Sequence, residues 1–141
     1  MEELETSRVI VDTDLLIDLL RKDEKATAFI SLLEKRRCLL ATTAVNVFEL
    51  YHGAHKSNQK AEALKSTRDL LKDLVLLPLT PRSAEKAGQI TSTLEARGQL
   101  IGLRDTLVAA IAITRQYEVA TRNVKHFSKI DALQTIGIQD L

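Results

Sequence analysis

The sequence predicts an α/β fold, a parallel sheet covered by helices, and three observations lead to it. Short β-branched or apolar runs alternate with segments of helical period along all 141 residues. Strand followed by helix, repeated, demands crossover connections, and their right-handedness lays the helices on the faces of a parallel sheet. No internal repeat, low-complexity tract or interdomain linker interrupts the pattern, so residues 1–141 are expected to form a single domain.

The elements follow in order. Arg8-Val9-Ile10-Val11 is a strand that ends at Asp12, and residues 15–20 have helical character. Asp23 is an N-cap for a helix through Ala26, Phe29, Ile30 and Leu33, closing at the basic cluster Lys35-Arg36-Arg37. A second strand covers residues 39–42. Val47, Phe48, Leu50 and Tyr51 then mark a helix over residues 44–53, with Gly53 as a stop or bend. A polar connection at residues 56–60 leads to an amphipathic helix over residues 61–74. Residues 75–79 read as a strand buried on both faces, with Pro78 favouring an edge position. Thr80-Pro81 opens a helix that carries Ala84, Ala87, Ile90 and Leu94 on one face as far as Gly98. Another helix spans about residues 104–117. A short strand at residues 119–121, a loop or short helix around residues 126–130, and a strand at residues 133–136 complete the chain.

Composition narrows the class. Apolar residues are 45% and charged residues 28% of the chain, an ordinary globular balance. Twenty Lys and Arg stand against 19 Asp and Glu, so no global positive field attracts a polyanion and any nucleic-acid contact must be local. The lone Cys38 lies in an apolar run and excludes an internal disulfide framework. The acidic start Met1-Glu2-Glu3-Leu4-Glu5 is unlike a secretory signal, and no apolar run nears the ~20 residues a membrane span needs. A cytoplasmic location is expected.

Ligands of open α/β sheets bind beyond the carboxyl ends of the strands, and that rule selects the acids of interest. Asp12 follows the first strand directly. Glu49 lies about five residues, roughly 7.5 Å, into the helix after the second strand. Asp105 starts a helix after the Gly102 turn, and Asn123 follows the strand at residues 119–121. Three unneutralised carboxylates on one rim repel one another, and a divalent cation relieves that cost. An all-oxygen set selects Mg2+ or Mn2+ over Zn2+, and Mg2+ retains waters for chemistry. Taken singly, each acid also has a plain reading: Asp105 as a helix cap, Asp12 in a turn, Glu49 as a solvated helix residue. Arg104, Arg122 and Lys125 lie near the rim as candidate phosphate contacts. Tyr51 and Phe127 are candidates for base stacking, with core packing the simpler reading of Phe127.

Other chemistries fit less well. Asp12-Thr13-Asp14 is similar to the opening of haloacid-dehalogenase phosphotransferases, but Leu16 stands where a Thr is expected and no late acidic pair follows. A receiver-like phosphoacceptor lacks an acid after the third strand. Glu49-Leu50-Tyr51-His52 has the spacing of di-iron helices, yet a second such pair is absent and the fold is wrong for it. His52 and His55 read as surface or dimer-contact residues. No nucleophile triad or glycine-rich phosphate loop is recognisable.

The segments at residues 9–20, 43–53, 105–110 and 120–127 together resemble PIN-domain nucleases. Their sequences are VIVDTDLLIDLL, TAVNVFELYHG, DTLVAA and ATRNVKHF. Each alone is unspecific; the four in this order and spacing are specific, and they cover nearly the whole chain. Size and motif style resemble the VapC toxins of toxin-antitoxin pairs. The resemblance implies a three-layer α/β/α fold with a five-stranded parallel sheet in the order 3-2-1-4-5. It implies Mg2+-dependent endoribonuclease activity, a homodimer, and inhibition by a VapB-type antitoxin whose tail occupies the active-site groove. By position, Asp12, Glu49 and Asp105 match family acids. Asn123 falls where a fourth acid is often Asp, which weakens the case for a second metal. Thr13 and Thr121 match hydroxyl positions that orient acids or waters, and Asp14 adds charge where many relatives are neutral. The implied reaction is hydrolysis of RNA by metal-activated water. A non-catalytic RNA- or protein-binding module of the same fold is the alternative, motivated by Asn123 and the near-neutral charge.

Overall fold

A computed structural model describes residues 7–140. The chain runs β1 (Arg8–Val11), α1 (Thr13–Leu20), α2 (Glu24–Lys35), β2 (Leu39–Thr43), α3 (Ala44–His55), α4 (Lys60–Leu71) and β3 (Val75–Leu77). It continues α5 (Pro81–Ala96), α6 (Leu103–Arg115), β4 (Glu118–Ala120), α7 (Val124–Phe127) and β5 (Thr135–Ile136), and ends in a 3-10 turn at Ile138–Asp140. The strands form one parallel sheet in the order β3-β2-β1-β4-β5, the order that the resemblance implies. The acidic stretch at residues 1–5 lies outside the described residues.

The period of two along β1 divides the core. Ile10 points to one face, where Leu77, Ile90, Leu94, Val108 and Ile111 pack from β3, α5 and α6. Val9 and Val11 point to the other, against Leu15, Leu16, Phe29, Leu33 and Leu50 of α1, α2 and α3. Val9, Ile10 and Val11 are wholly buried, as the central strand of a three-layer sandwich must be. Among the described residues, no helix is long and apolar enough to cross a membrane.

Local chemistry sets the helix starts. The Asp23 carboxylate accepts the Ala26 amide at 2.9 Å, the N-cap expected of it. Thr80 and Ser83 form a capping box with Pro81 at the first helical position.

Several boundaries depart from the sequence reading. Gly53 does not end its helix: α3 continues to His55, because Ala54 is buried and packing carries the helix on. Residues 75–79 are not a strand buried on both faces. β3 stops at Leu77, before Pro78, and Val75 and Leu76 are about half exposed because β3 is an edge. The helix expected over residues 61–74 closes at Leu71. The short helix near residue 126 begins at Val124 and ends at Phe127, whose ring is fully buried in the core and so is closed to base stacking. Cys38 is half-buried, and desolvation raises its thiol pKa, with the nearby Glu118 charge adding to the effect.

Candidate active site

Asp12, Glu49, Asp105 and Asn123 meet at the carboxyl edge of the sheet. Asp12 leaves β1 in extended conformation as the N-cap of α1, its own amide donating to the Ala120 carbonyl of β4 at 2.9 Å. The β1–β4 ladder thus continues into the residue that carries the carboxylate. Thr43 caps α3 and forms a capping box with Asn46, which places Glu49 one turn further on the same side of the helix. Gly102, at φ 97°, turns the chain into α6 so that Asp105 falls in its first turn, where the helix dipole favours negative charge. Thr121, Asn123 and His126 follow β4.

The carboxylates are held from behind by side-chain and backbone partners. Asp12 is 1% exposed. Its Oδ1 accepts from the Thr13 amide (2.9 Å) and Asn46 Nδ2 (2.9 Å), and its Oδ2 accepts the Thr121 hydroxyl (2.8 Å). The Thr13 hydroxyl donates to Glu49 Oε1 at 2.6 Å and accepts from Asn46 Nδ2 at 2.8 Å. Asn46, fully buried, spends its amide oxygen on the Thr43 hydroxyl and amide at 2.7 and 3.2 Å. Asp105 Oδ2 has His126 Nδ1 at 2.9 Å and Asn123 Nδ2 at 3.3 Å.

Asp12 Oδ1, Glu49 Oε1 and Asp105 Oδ1 face a common centre, and the guanidinium of Arg104 stands in it. Arg104 Nη2 donates to Asp12 Oδ1 at 2.6 Å and to Thr13 Oγ1 at 3.0 Å, Nε donates to Glu49 Oε1 at 2.7 Å, and Nη1 bonds Asp105 Oδ1. Burial alone lowers the Arg104 pKa; the charge and hydrogen bond of Asp12 and those of Glu49 outweigh it and raise it. This side chain is therefore permanently cationic.

Around this centre the charge is negative. Asp14, half-buried, accepts the amides of Leu15 and Arg122 at 2.7 and 3.0 Å. Desolvation and then the neighbouring Asp12 charge raise its pKa, against the pull of those hydrogen bonds. Arg122 turns away from the centre, with Nε on Asp18 at 2.7 Å and Nη2 3.7 Å from Asp23. Its pKa is raised, chiefly by the Asp18 hydrogen bond. Lys125 lies exposed on α7.

These residues fit a hard divalent cation by donor chemistry. Asp105 fixes Oδ2 on the scaffold and presents Oδ1, and Asp12 Oδ1, although it accepts from the Thr13 amide and Asn46, faces the same centre with Glu49 Oε1. Among the described residues, no group of three or more Asp, Glu, His or Cys is spaced to close on a metal ion as it stands, and the guanidinium lies between the carboxylates.

Sequence reasoning missed Asn46, His126 and the central position of Arg104. Asn46 could have been suspected from its place three residues after Thr43, where a polar side chain closes a capping box. His126 lies one turn beyond Asn123 in the ATRNVKHF segment. Nothing in the sequence alone turns Arg104 inward.

The PIN domain family profile matches residues 9–133. A ribonuclease VapC2 of Haemophilus influenzae is 27% identical over 128 residues, which covers 91% of this chain and 96% of that protein. Among solved structures, VapBC2 from Rickettsia felis bound to a promoter DNA fragment superposes with a TM-score of 0.86 at 23% identity. That match covers 92% of this chain and 98% of the other. A toxin-antitoxin complex from Klebsiella pneumoniae superposes with a TM-score of 0.72 at 23% identity, covering 94% and 99%.

Proposed function

The chain belongs to the PIN-domain family, and from that premise we propose that it is a Mg2+-dependent endoribonuclease, the toxin of a VapBC-type pair. The observation that carries this reading is the convergence of Asp12 Oδ1, Glu49 Oε1 and Asp105 Oδ1 on one cation at the carboxyl edge of the sheet. Similarity over nearly the full length to proteins named ribonuclease VapC supports it.

In this reading Asp12, Asp105 and Glu49 hold Mg2+, for which Mn2+ can substitute. Bound there, the ion would supply an acidified water and charge neutralisation for phosphodiester hydrolysis. The protein does the positioning. Thr121, Asn46 and the Thr13 amide fix the Asp12 carboxylate, and Thr13 also orients Glu49. Asn123 and His126 fix Asp105. Asp14 adds negative charge beside Asp12, which favours a cation and disfavours a bare phosphate. Lys125, exposed on α7, is placed to grip the RNA backbone without reading bases, and Arg104 and Arg122 would do so on leaving their carboxylate partners.

A groove of about 500 Å³ between α1, α3 and α4 reaches Glu49 and has Ile17, Leu20 and Leu50 on its walls. It suits the tail of a VapB-like antitoxin. Phe48, Leu100 and Leu103 expose large apolar side chains, which supports a homodimer. A cytoplasmic location is part of the same reading.

The test joins a Mg2+ or Mn2+ titration by calorimetry to end analysis of cleaved single-stranded RNA. The reading expects metal binding at millimolar concentration or below, and products with 5′-phosphate and 3′-hydroxyl ends. Asp12→Asn should abolish both cleavage and metal binding. Cyclic 2′,3′-phosphate ends would refute metal-assisted hydrolysis. A folded protein that binds no metal would instead be a non-catalytic binding module, a role in which Arg104 serves as the permanent counter-ion.

A further inference from the structure

We propose that Arg104 is the resident counter-cation of the acidic centre, and that its guanidinium and a divalent metal ion are alternative occupants of the same carboxylate oxygens. The proposal rests on the metal-centre reading given above and concerns what this chain does when the metal is not bound.

The supply of free oxygen atoms in the centre is small. Asp12 Oδ1 already accepts from the Thr13 amide and Asn46 Nδ2, so Arg104 Nη2 is its third donor. Asp12 Oδ2 is held by Thr121, and Asp105 Oδ2 lies against His126 and Asn123. The oxygens through which a metal could join all three acids, Asp12 Oδ1, Glu49 Oε1 and Asp105 Oδ1, are the ones that Arg104 holds, and only Glu49 Oε2 stands outside these contacts. A carboxylate oxygen so saturated takes a new cation only by giving up an old donor.

Charge points the same way. Asp12, Glu49 and Asp105 carry three negative charges in a site where Asp12 and Asp105 are nearly inaccessible, and some cation must stand among them for the fold to be stable. The guanidinium fills that need in the metal-free protein. A divalent ion placed beside it would meet a like charge at contact distance, so exchange is favoured over joint occupancy.

The means of exchange is local. The Arg104 side chain is 31% exposed and sits at the mouth of the centre, one residue before Asp105 at the start of α6. Rotation about its own side-chain bonds carries the fork outward without moving the helix. Released there, it presents paired N–H donors at the rim, the geometry that suits a phosphate. Arg104 thus has one partner set in the metal-free state and another beside substrate, and the competition lowers the apparent metal affinity by the fraction of molecules it closes.

The test is calorimetric titration of Mn2+ and of Mg2+ into the wild type, Arg104→Gln and Arg104→Lys, with thermal melts recorded without and with metal. Removing the competitor should tighten metal binding about tenfold in Arg104→Gln. Arg104→Lys, a point charge without the fork, should fall between. Without metal, Arg104→Gln should melt below the wild type, and saturating metal should raise its melting temperature by more. If Arg104→Gln is unfolded without metal, the comparison of Arg104→Lys with wild type decides. Metal affinity that is unchanged or weaker in the variants, while the wild type binds, overturns the proposal and leaves the metal-centre reading standing. No binding to any of the three folded proteins overturns that reading and this proposal together.

Discussion

Thr121 donates its hydroxyl to Asp12 Oδ2 over 2.8 Å although 109 residues separate the two in the chain. Both side chains are essentially inaccessible to water, so nothing replaces the bond if it is lost. Thr121→Val keeps the shape and removes the donor. It should cost about 1–3 kcal/mol in urea denaturation, and it should weaken metal binding because Asp12 is no longer aimed. Unchanged stability would show that the bond has no net worth.

Asn46 joins three segments through one amide, and its loss should be felt in all of them. Asn46→Ala leaves the Thr43 amide and hydroxyl short of their acceptor and Asp12 Oδ1 short of a donor. The expected loss is about 2–4 kcal/mol by chemical denaturation. A loss under about 0.5 kcal/mol, the usual range of a surface substitution, would contradict this account.

Asp14 makes stability depend on pH. Burial first, and the Asp12 charge second, raise its pKa above the ordinary 3.8. Its ionised form is less favoured folded than unfolded, so the neutral form stabilises the native state relative to the ionised one. That contribution is fully present below the ordinary value and is lost as pH rises through the raised folded pKa. Asp14→Asn, neutral throughout, should gain on the wild type across that window. Urea melts of both proteins from about pH 3 to about pH 7 measure the difference, and a pH-independent difference would be evidence against it.

Gln116 closes α6 in the left-handed region at φ 62° and ψ 52°, exposed to solvent. A side chain there crowds the following carbonyl, and glycine does not. Gln116→Gly should therefore stabilise the protein by about 0.5–1 kcal/mol, read as a rise in melting temperature. A fall would mean that the extra freedom of glycine in the unfolded chain outweighs the relief.

What the sequence conveys depends on the range of the forces involved. The sheet order was legible because the family resemblance covers almost the whole chain, and element types because their periods are local. Asp12 is visible because a β-branched strand ends on it, Glu49 because its helix follows a strand directly, and Asp105 because it starts a helix after the Gly102 turn. Boundaries such as Gly53 and Leu77 were less legible, since helix α3 is prolonged by burial of Ala54 and β3 is shortened by its edge position. Arg104 illustrates the harder limit. A cation beside acids reads from sequence as an outward phosphate contact, and only the three-dimensional meeting of Asp12, Glu49 and Asp105 turns it inward. Asn46, missed in the sequence, closes the capping box of Thr43, and its second duty to Asp12 follows from the pairing of β1 with β2.

The pairing of β1 with β4 also bears on the life of the protein before it is finished. Val11 lies beside Ala120, so the first strand synthesised waits for one made more than a hundred residues later before its second edge is covered. Until then Asp12 lacks both the Ala120 carbonyl that anchors its amide and the Thr121 hydroxyl that aims its carboxylate. A chain still emerging from the ribosome therefore carries the acids without the constellation. Contacts of such long range are also slow to form. The acidic centre is complete only once β4 has joined β1.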